Sequence, residues 1–221
     1  DTSIRSICNL MTPTSPQATM TIPIVSNIEA HLRPTDSFKT VIFNSGLTSI
    51  NTFPSFKKAT HVEIDGATGY RCSTSGTITV SDRLQLIETL KLTNVPFTGT
   101  SVVLDFRECN KLKTLDLSGC TGLQGIIIPS NKYLTSLILP DGLEIIQLGF
   151  CQSLNYADLV INNNRFNSIT IDGRNSFVSD FIEDFVVGFN GLLTITNSET
   201  LALTYQALTI LANLENVTFI G

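Results

Sequence analysis

Between residues 112 and 160 the apolar positions recur in one phrase. From Leu112 the chain reads LKTLDLSGC, from Leu123 LQGIIIP, from Leu134 LTSLILP, from Leu143 LEIIQLG and from Leu154 LNYADLV, each an L-x-x-L-x-L unit with at most two substitutions. The leading leucines stand 11, 11, 9 and 11 residues apart, so two steps span about 20 to 22 residues, the period of stacked repeat proteins. An extended chain sends alternate side chains to opposite faces. Leu115 and Leu117 are therefore expected to point together into a core, with the residue between them facing out. Asp116, Gln147, Asp158 and Thr170 put polar groups at that middle position, whereas Ile127 and Ile138 put apolar ones there.

Weaker copies extend the phrase in both directions. Upstream stand Val41 with Phe43, Leu47 with Ile50, Val62 with Ile64, Ile78 with Val80, Leu90 with Leu92, and Leu104 with Phe106. Downstream stand Ile169 with Ile171, Leu193 with Ile195, and Val217 with Phe219. The pattern predicts an array over residues 38–221 of roughly eight coils, which must stack because one coil cannot bury its own leucines. Residues 1–37 predict an N-terminal cap or linker: four of the eight prolines fall between residues 11 and 36, with no period. Ser198 to Asn213 carries apolar residues at helical spacing (Leu201, Tyr205, Leu208, Leu211) behind Ser198 as an N-cap and acidic Glu199, which predicts a helix of about four turns. Val178 to Val187, acidic and rich in Phe, is a second helical candidate.

Composition narrows the class. Of the 221 residues, 42% are hydrophobic and 15% charged, and the mean hydropathy of +0.22 allows a sizeable core. The net charge of -5 comes without any basic run, which argues against nucleic-acid binding, because phosphate neutralisation needs clustered cations. No stretch approaches the roughly 18 apolar residues of a membrane span, so no membrane insertion is expected. The start at Asp1 points to removal of something upstream, either a cleaved signal or a larger parent chain.

The segments KLKTLDLSGCTGLQGIIIP and YLTSLILPDGLEIIQLGFCQSL resemble the leucine-rich repeats, and within them the BspA-like repeats of bacterial surface proteins, whose units read close to C-x-x-L-x-x-I-x-I-P. Ile126-Ile127-Ile128-Pro129 and Leu137-Ile138-Leu139-Pro140 carry that ending. The resemblance implies an α/β solenoid, a right-handed stack of short parallel strands with few helices. It also implies an extracellular or cell-surface protein that adheres to proteins or glycans, with no catalytic residue to carry over. The asparagine ladder of the animal and plant repeats is missing, and the I-G-x-x-A-F half-repeat survives only as Gly149-Phe150-Cys151.

Chemistry-bearing residues are few. Cys109, Cys120 and Cys151 each stand three residues before a repeat leucine, which suggests one buried slot between coils and not a metal site, since zinc needs four close ligands. Cys8 and Cys72 are the pair that an oxidising compartment would join. Asp116 and Asp158, placed about two coils or ~10 Å apart by strand spacing, suit solvated surface acids better than a glycosidase pair. Asp180, Glu183 and Asp184 lack the spacing of a calcium loop. Asn216-Val217-Thr218 satisfies a glycosylation sequon but falls in an expected strand. No nucleophile motif or phosphate loop is present.

The expectation is thus a non-enzymatic binding module without cofactor or metal. Its outward apolar residues Ile127, Ile138 and Ile145, with Tyr156 nearby, are the candidate partner-binding set. The alternative is a structural spacer or attachment domain of a larger cell-envelope or phage virion assembly.

Overall fold

The computed structural model describes residues 19–22, 40–43, 53–162 and 164–221. Fourteen strands among them form two seven-stranded sheets in which every pairing is parallel. The first sheet runs β1 (Thr19–Ile22), β2 (Thr40–Phe43), β3 (His61–Asp65), β5 (Thr89–Thr93), β7 (Thr114–Asp116), β9 (Ser136–Ile138) and β11 (Leu159–Val160). The second runs β4 (Thr77–Thr79), β6 (Val102–Asp105), β8 (Leu123–Ile128), β10 (Ile145–Leu148), β12 (Ser168–Asp172), β13 (Leu192–Thr196) and β14 (Val217–Phe219). From β3 to β12 the chain therefore alternates, one strand to each sheet. β1 lies inside the segment expected to be a cap or linker and pairs with β2.

The alternation explains the 11-residue step. Each L-x-x-L-x-L unit makes its own strand and corner, consecutive units go to opposite sheets, and in-register partners stand two units apart: Leu115 beside Leu137 in the first sheet, Ile126 beside Ile146 in the second. The leading leucines fill the corners, with Leu112, Leu134 and Leu143 0% exposed. Inward columns of both sheets (Val62, Leu90, Leu115 and Leu137; Leu104, Ile126, Ile146 and Ile169) are 0% exposed and belong to one continuous core. The strands of the expected parallel stack are thus divided between two sheets. The register also shifts by two residues. Leu159, not Ala157, continues the column of Leu137, so Val160, not Asp158, is the outward residue of β11, and Asp158 sits in a 3-10 turn.

Strand exits share a device that hydrophobic periodicity does not reveal. Asp65, Asp105, Asp116 and Asp172 each accept a hydrogen bond, at 2.9–3.0 Å, from the N–H two residues ahead. The resulting Asx-turn bends the chain toward the other sheet. Asp116 is thus a half-buried turn residue and not the freely solvated acid expected. Asn131 and Asn175, 3% and 2% exposed, brace other corners. Asn131 Nδ2 donates to Leu112 O, and Asn175 Oδ1 accepts from Cys151 N.

Beyond β11 the first-sheet side changes character. Between β12 and β13 the chain forms α1 (Val178–Phe185), with Val178, Phe181 and Ile182 buried at i, i+3 and i+4. Between β13 and β14 it forms α2 (Tyr205–Ala212), which buries Ala207 and Leu211. The expected helix at 198–213 is shorter. Its N-cap is Thr204, whose hydroxyl accepts from Ala207 N at 3.1 Å, while Ser198 begins a separate 3-10 turn after left-handed Asn197.

Candidate functional site

The four residues singled out for partner binding do not share one face. Ile127 lies on β8 and Ile145 on β10, both on the outer side of the second sheet, whereas Ile138 lies on β9 of the first. All three are half-buried. Tyr156 lies in the 3-10 turn before β11 and packs against the core. Its hydroxyl donates to Asp184 Oδ2 of α1, which joins the last first-sheet strand to the helices. Burial, then the hydrogen bond to Asp184, pushes the Tyr156 phenol well above its ordinary value, so it stays protonated.

On the second sheet the register sets Val103, Gly125, Ile145, Ser168 and Leu192 in one outward column and Asp105, Ile127, Gln147, Thr170 and Thr194 in the next. Gly125 is the low point of this surface. A Cβ there would come within 3.0 Å of Ile145 Cβ and 3.3 Å of Val103 Cγ2, so the two neighbours lean over the bare backbone. Ile127 is two residues further along β8, and Leu192, 49% exposed, extends the column. The result is an apolar patch on a pleated face, with Gln147, Ser168 and Thr170 at its rim.

The first sheet presents different chemistry at matching positions. Its columns read Glu63, Lys91, Asp116, Ile138, Val160 and His61, Thr89, Thr114, Ser136. Glu63 takes Lys91 at 3.1 Å and His61 at 2.7 Å. Burial raises the Glu63 pKa, but the hydrogen bonds and charges of Lys91 and His61 outweigh it and leave the carboxyl below its usual range.

Two carboxylates at exits of the second sheet are almost fully buried. Asp105 and Asp172, each 3% exposed, are gripped by the arginine two residues on: Arg107 Nε at 2.9 Å and Arg174 Nη2 at 2.7 Å from an Asp Oδ2. The Arg107 hydrogen bond holds Asp105 below the ordinary aspartate value. At Asp172 burial pushes upward, but Arg174 and Asn197 prevail, so its pKa is also lowered. Arg174 in turn lies 4.8 Å over the Phe150 ring. These acids fix corners. Asp158 has left the column of Asp116, so the pair weighed as glycosidase-like is not brought together.

The three repeat cysteines are buried as expected, but at two kinds of corner: Cys109 and Cys151 where the chain leaves the second sheet, Cys120 where it leaves the first. Cys109, Cys120 and Cys151 are 1–2% exposed, and burial pushes each thiol up to about 12. Cys120 Sγ donates to Leu92 O of the neighbouring coil at 2.7 Å. Cys72 is likewise a buried free thiol, and Cys8 lies outside the described residues. Of the acidic trio on α1, Glu183 accepts from the Thr204 hydroxyl and Asp184 from Tyr156. Among the described residues no group of three His, Cys, Asp or Glu side chains is placed to hold a metal ion, and no helix is long and apolar enough to cross a membrane.

The fold and its surfaces define a mostly parallel β protein of two sheets built from 11-residue units, with two helices closing one side. Comparison with protein-family models, curated proteins and solved structures returned no match.

Proposed function

We propose that the chain is a non-enzymatic binding module, a leucine-rich-repeat-like solenoid of the BspA-like kind acting outside the cell or at its surface. It recognises a protein or glycan partner through the outer face of its second sheet. The observation that carries this reading is the grouping of Val103, Ile127 and Ile145 around Gly125, apolar side chains gathered on one outer face. An apolar patch with a polar rim is the surface that protein partners cover. The inward leucines already satisfy the core, so outward residues of a repeat array vary without cost to the stack.

The test is a binding screen of the purified chain against extracellular-matrix proteins and a glycan array, repeated with Ile127→Glu plus Ile145→Glu. Both changes fall on one sheet, whereas Ile127→Glu with Ile138→Glu would divide the perturbation between two. A partner lost in the double variant supports the reading, and a partner retained by it rules out this face.

The second reading is a spacer or attachment domain of a cell-envelope or virion assembly. It is favoured by Phe219, which continues the inward column of Ile171 and Ile195 yet is 53% exposed, next to Ile220 at 48%. Under this reading the chain self-associates through that end, so size-exclusion chromatography shows oligomers that Phe219→Asp reduces to monomers.

A further inference from the structure

A cleft of about 420 Å³ opens where the first helix meets the second sheet, between the turn before β12, the end of α1 and the turn before β13. Its walls are aromatic. Phe166, Phe185 and Phe189 are each only partly buried against the core. Phe185 is backed by buried Phe181, with ring centroids 5.3 Å apart. Phe189 lies over bare backbone at Gly191, where a Cβ would come within 2.6 Å of the ring.

The polar side chains at this cleft are Arg165 and three asparagines, Asn164, Asn167 and Asn190, of which Asn167 donates to Glu144 Oε2 at 3.2 Å. Asn164 is oriented by its own carbonyl, since Oδ1 accepts from Leu143 N at 2.7 Å, and its Nδ2 is left buried without a hydrogen-bond partner. Arg165 is exposed and makes no ion pair with a carboxylate of the described residues, and the exposed amide of Asn190 is close by. No acidic side chain lines the cleft, although the chain as a whole is acidic. A ligand matched to the Arg165 guanidinium and the phenyl rings is negatively charged and apolar on one face.

We propose that this cleft binds a carboxylated sugar unit of a glycan, with the carboxylate on Arg165, ring or glycosidic oxygens toward Asn190, and the C–H face against the phenyl rings. A guanidinium matches a carboxylate in two parallel hydrogen bonds, and the volume lies within the ~300–1,000 Å³ of small-ligand sites. An extended peptide fits less well. β12 and β13 are paired along both edges, so no backbone ladder is free to take another strand. The proposal rests on the reading of the chain as a binding module but not on the apolar patch of the second sheet.

The test is a titration of the full chain, followed by ligand-observed NMR, with methyl glucuronide and methyl sialoside as acidic probes. Methyl glucoside is the neutral counterpart and N-acetylphenylalanine the peptide-like carboxylate. At least one acidic sugar is expected to bind tenfold or more tightly than methyl glucoside. Arg165→Ala, a surface change, is expected to remove that preference and Arg165→Lys to restore part of it, while Ile127→Glu plus Ile145→Glu leaves it unchanged. Failure of both acidic sugars, equal affinity in Arg165→Ala, or preference for N-acetylphenylalanine would overturn the proposal. If a partner is meanwhile captured through the second sheet, the cleft proposal alone falls.

Discussion

The two outer faces differ far more than the two inner ones. Inward, both sheets stack aliphatic columns at 0% exposure, Leu90, Leu115 and Leu137 on one side and Leu104, Ile126 and Ile146 on the other. Outward, the first sheet carries the Glu63, Lys91 and His61 cluster, a row of hydroxyls and then Ile138 and Val160, whereas the second groups Val103, Ile127 and Ile145 about Gly125, followed by Gln147, Ser168, Thr170 and Thr194. The inner columns answer to packing, because a coil cannot bury its own apolar face without its neighbours. The outer columns are under no such constraint.

The equivalence of the inner faces is the easiest part of this comparison to break. Leu137→Asp and Ile146→Asp each bury an unpaired carboxylate and are expected to cost several kcal/mol, with similar losses in chemical denaturation. A large inequality would mean that one sheet, not both, holds the core. Next comes Asp172→Asn, expected to cost about 2 kcal/mol because it weakens a charged hydrogen-bond fork at a buried site. The folded pKa of Asp172 is lowered. Its contribution is therefore complete above the ordinary aspartate value of about 3.9 and fades as pH falls through the depressed folded value. Denaturation from pH 6 to pH 2 should show a shallower acid loss in the variant than in the parent. Asp116→Ala removes one Asx-turn bond and is expected to cost about 1 kcal/mol; a cost of zero would return Asp116 to the status of a solvated acid. Smallest is Lys91→Ala on the outer first sheet, about 0.5 kcal/mol and diminishing with added salt, as for exposed ion pairs.

Much of the inner architecture was legible in the sequence. The leucines at 112, 123, 134, 143 and 154 marked the corners, the alternate residues at 115 and 117 marked the core, and the cysteines at 109, 120 and 151 marked buried corners, because burial imposes a strict period. Which sheet a unit joins was not legible. Identical 11-residue phrases serve both sheets, so Ile127 and Ile138 look like neighbours in the sequence and lie on different faces in the fold. Asp158 misled for a related reason: a 3-10 turn before β11 consumes residues that an unbroken strand reading assigns to the ladder. The cleft at Arg165 had no signal at all. It is assembled from a turn, a helix end and a second turn, and none of its phenylalanines obeys the repeat. The Asx-turns were visible only as aspartates following the last apolar residue of a strand, as in Asp65, Asp105 and Asp172, a cue that periodicity ignores.

Alternation of consecutive units between two sheets is the claim on which both surfaces depend, and paired cysteines test it directly. Asp116 and Ile138 are register partners on adjacent first-sheet strands, at the ~4.8 Å strand spacing that a disulfide spans, whereas Ile127 lies in the second sheet. Under mild oxidation Asp116→Cys with Ile138→Cys is expected to form an internal disulfide, seen by mass spectrometry of the digest, and Asp116→Cys with Ile127→Cys to form none. Crosslinking of the second pair, with the first remaining reduced, would contradict the two-sheet arrangement.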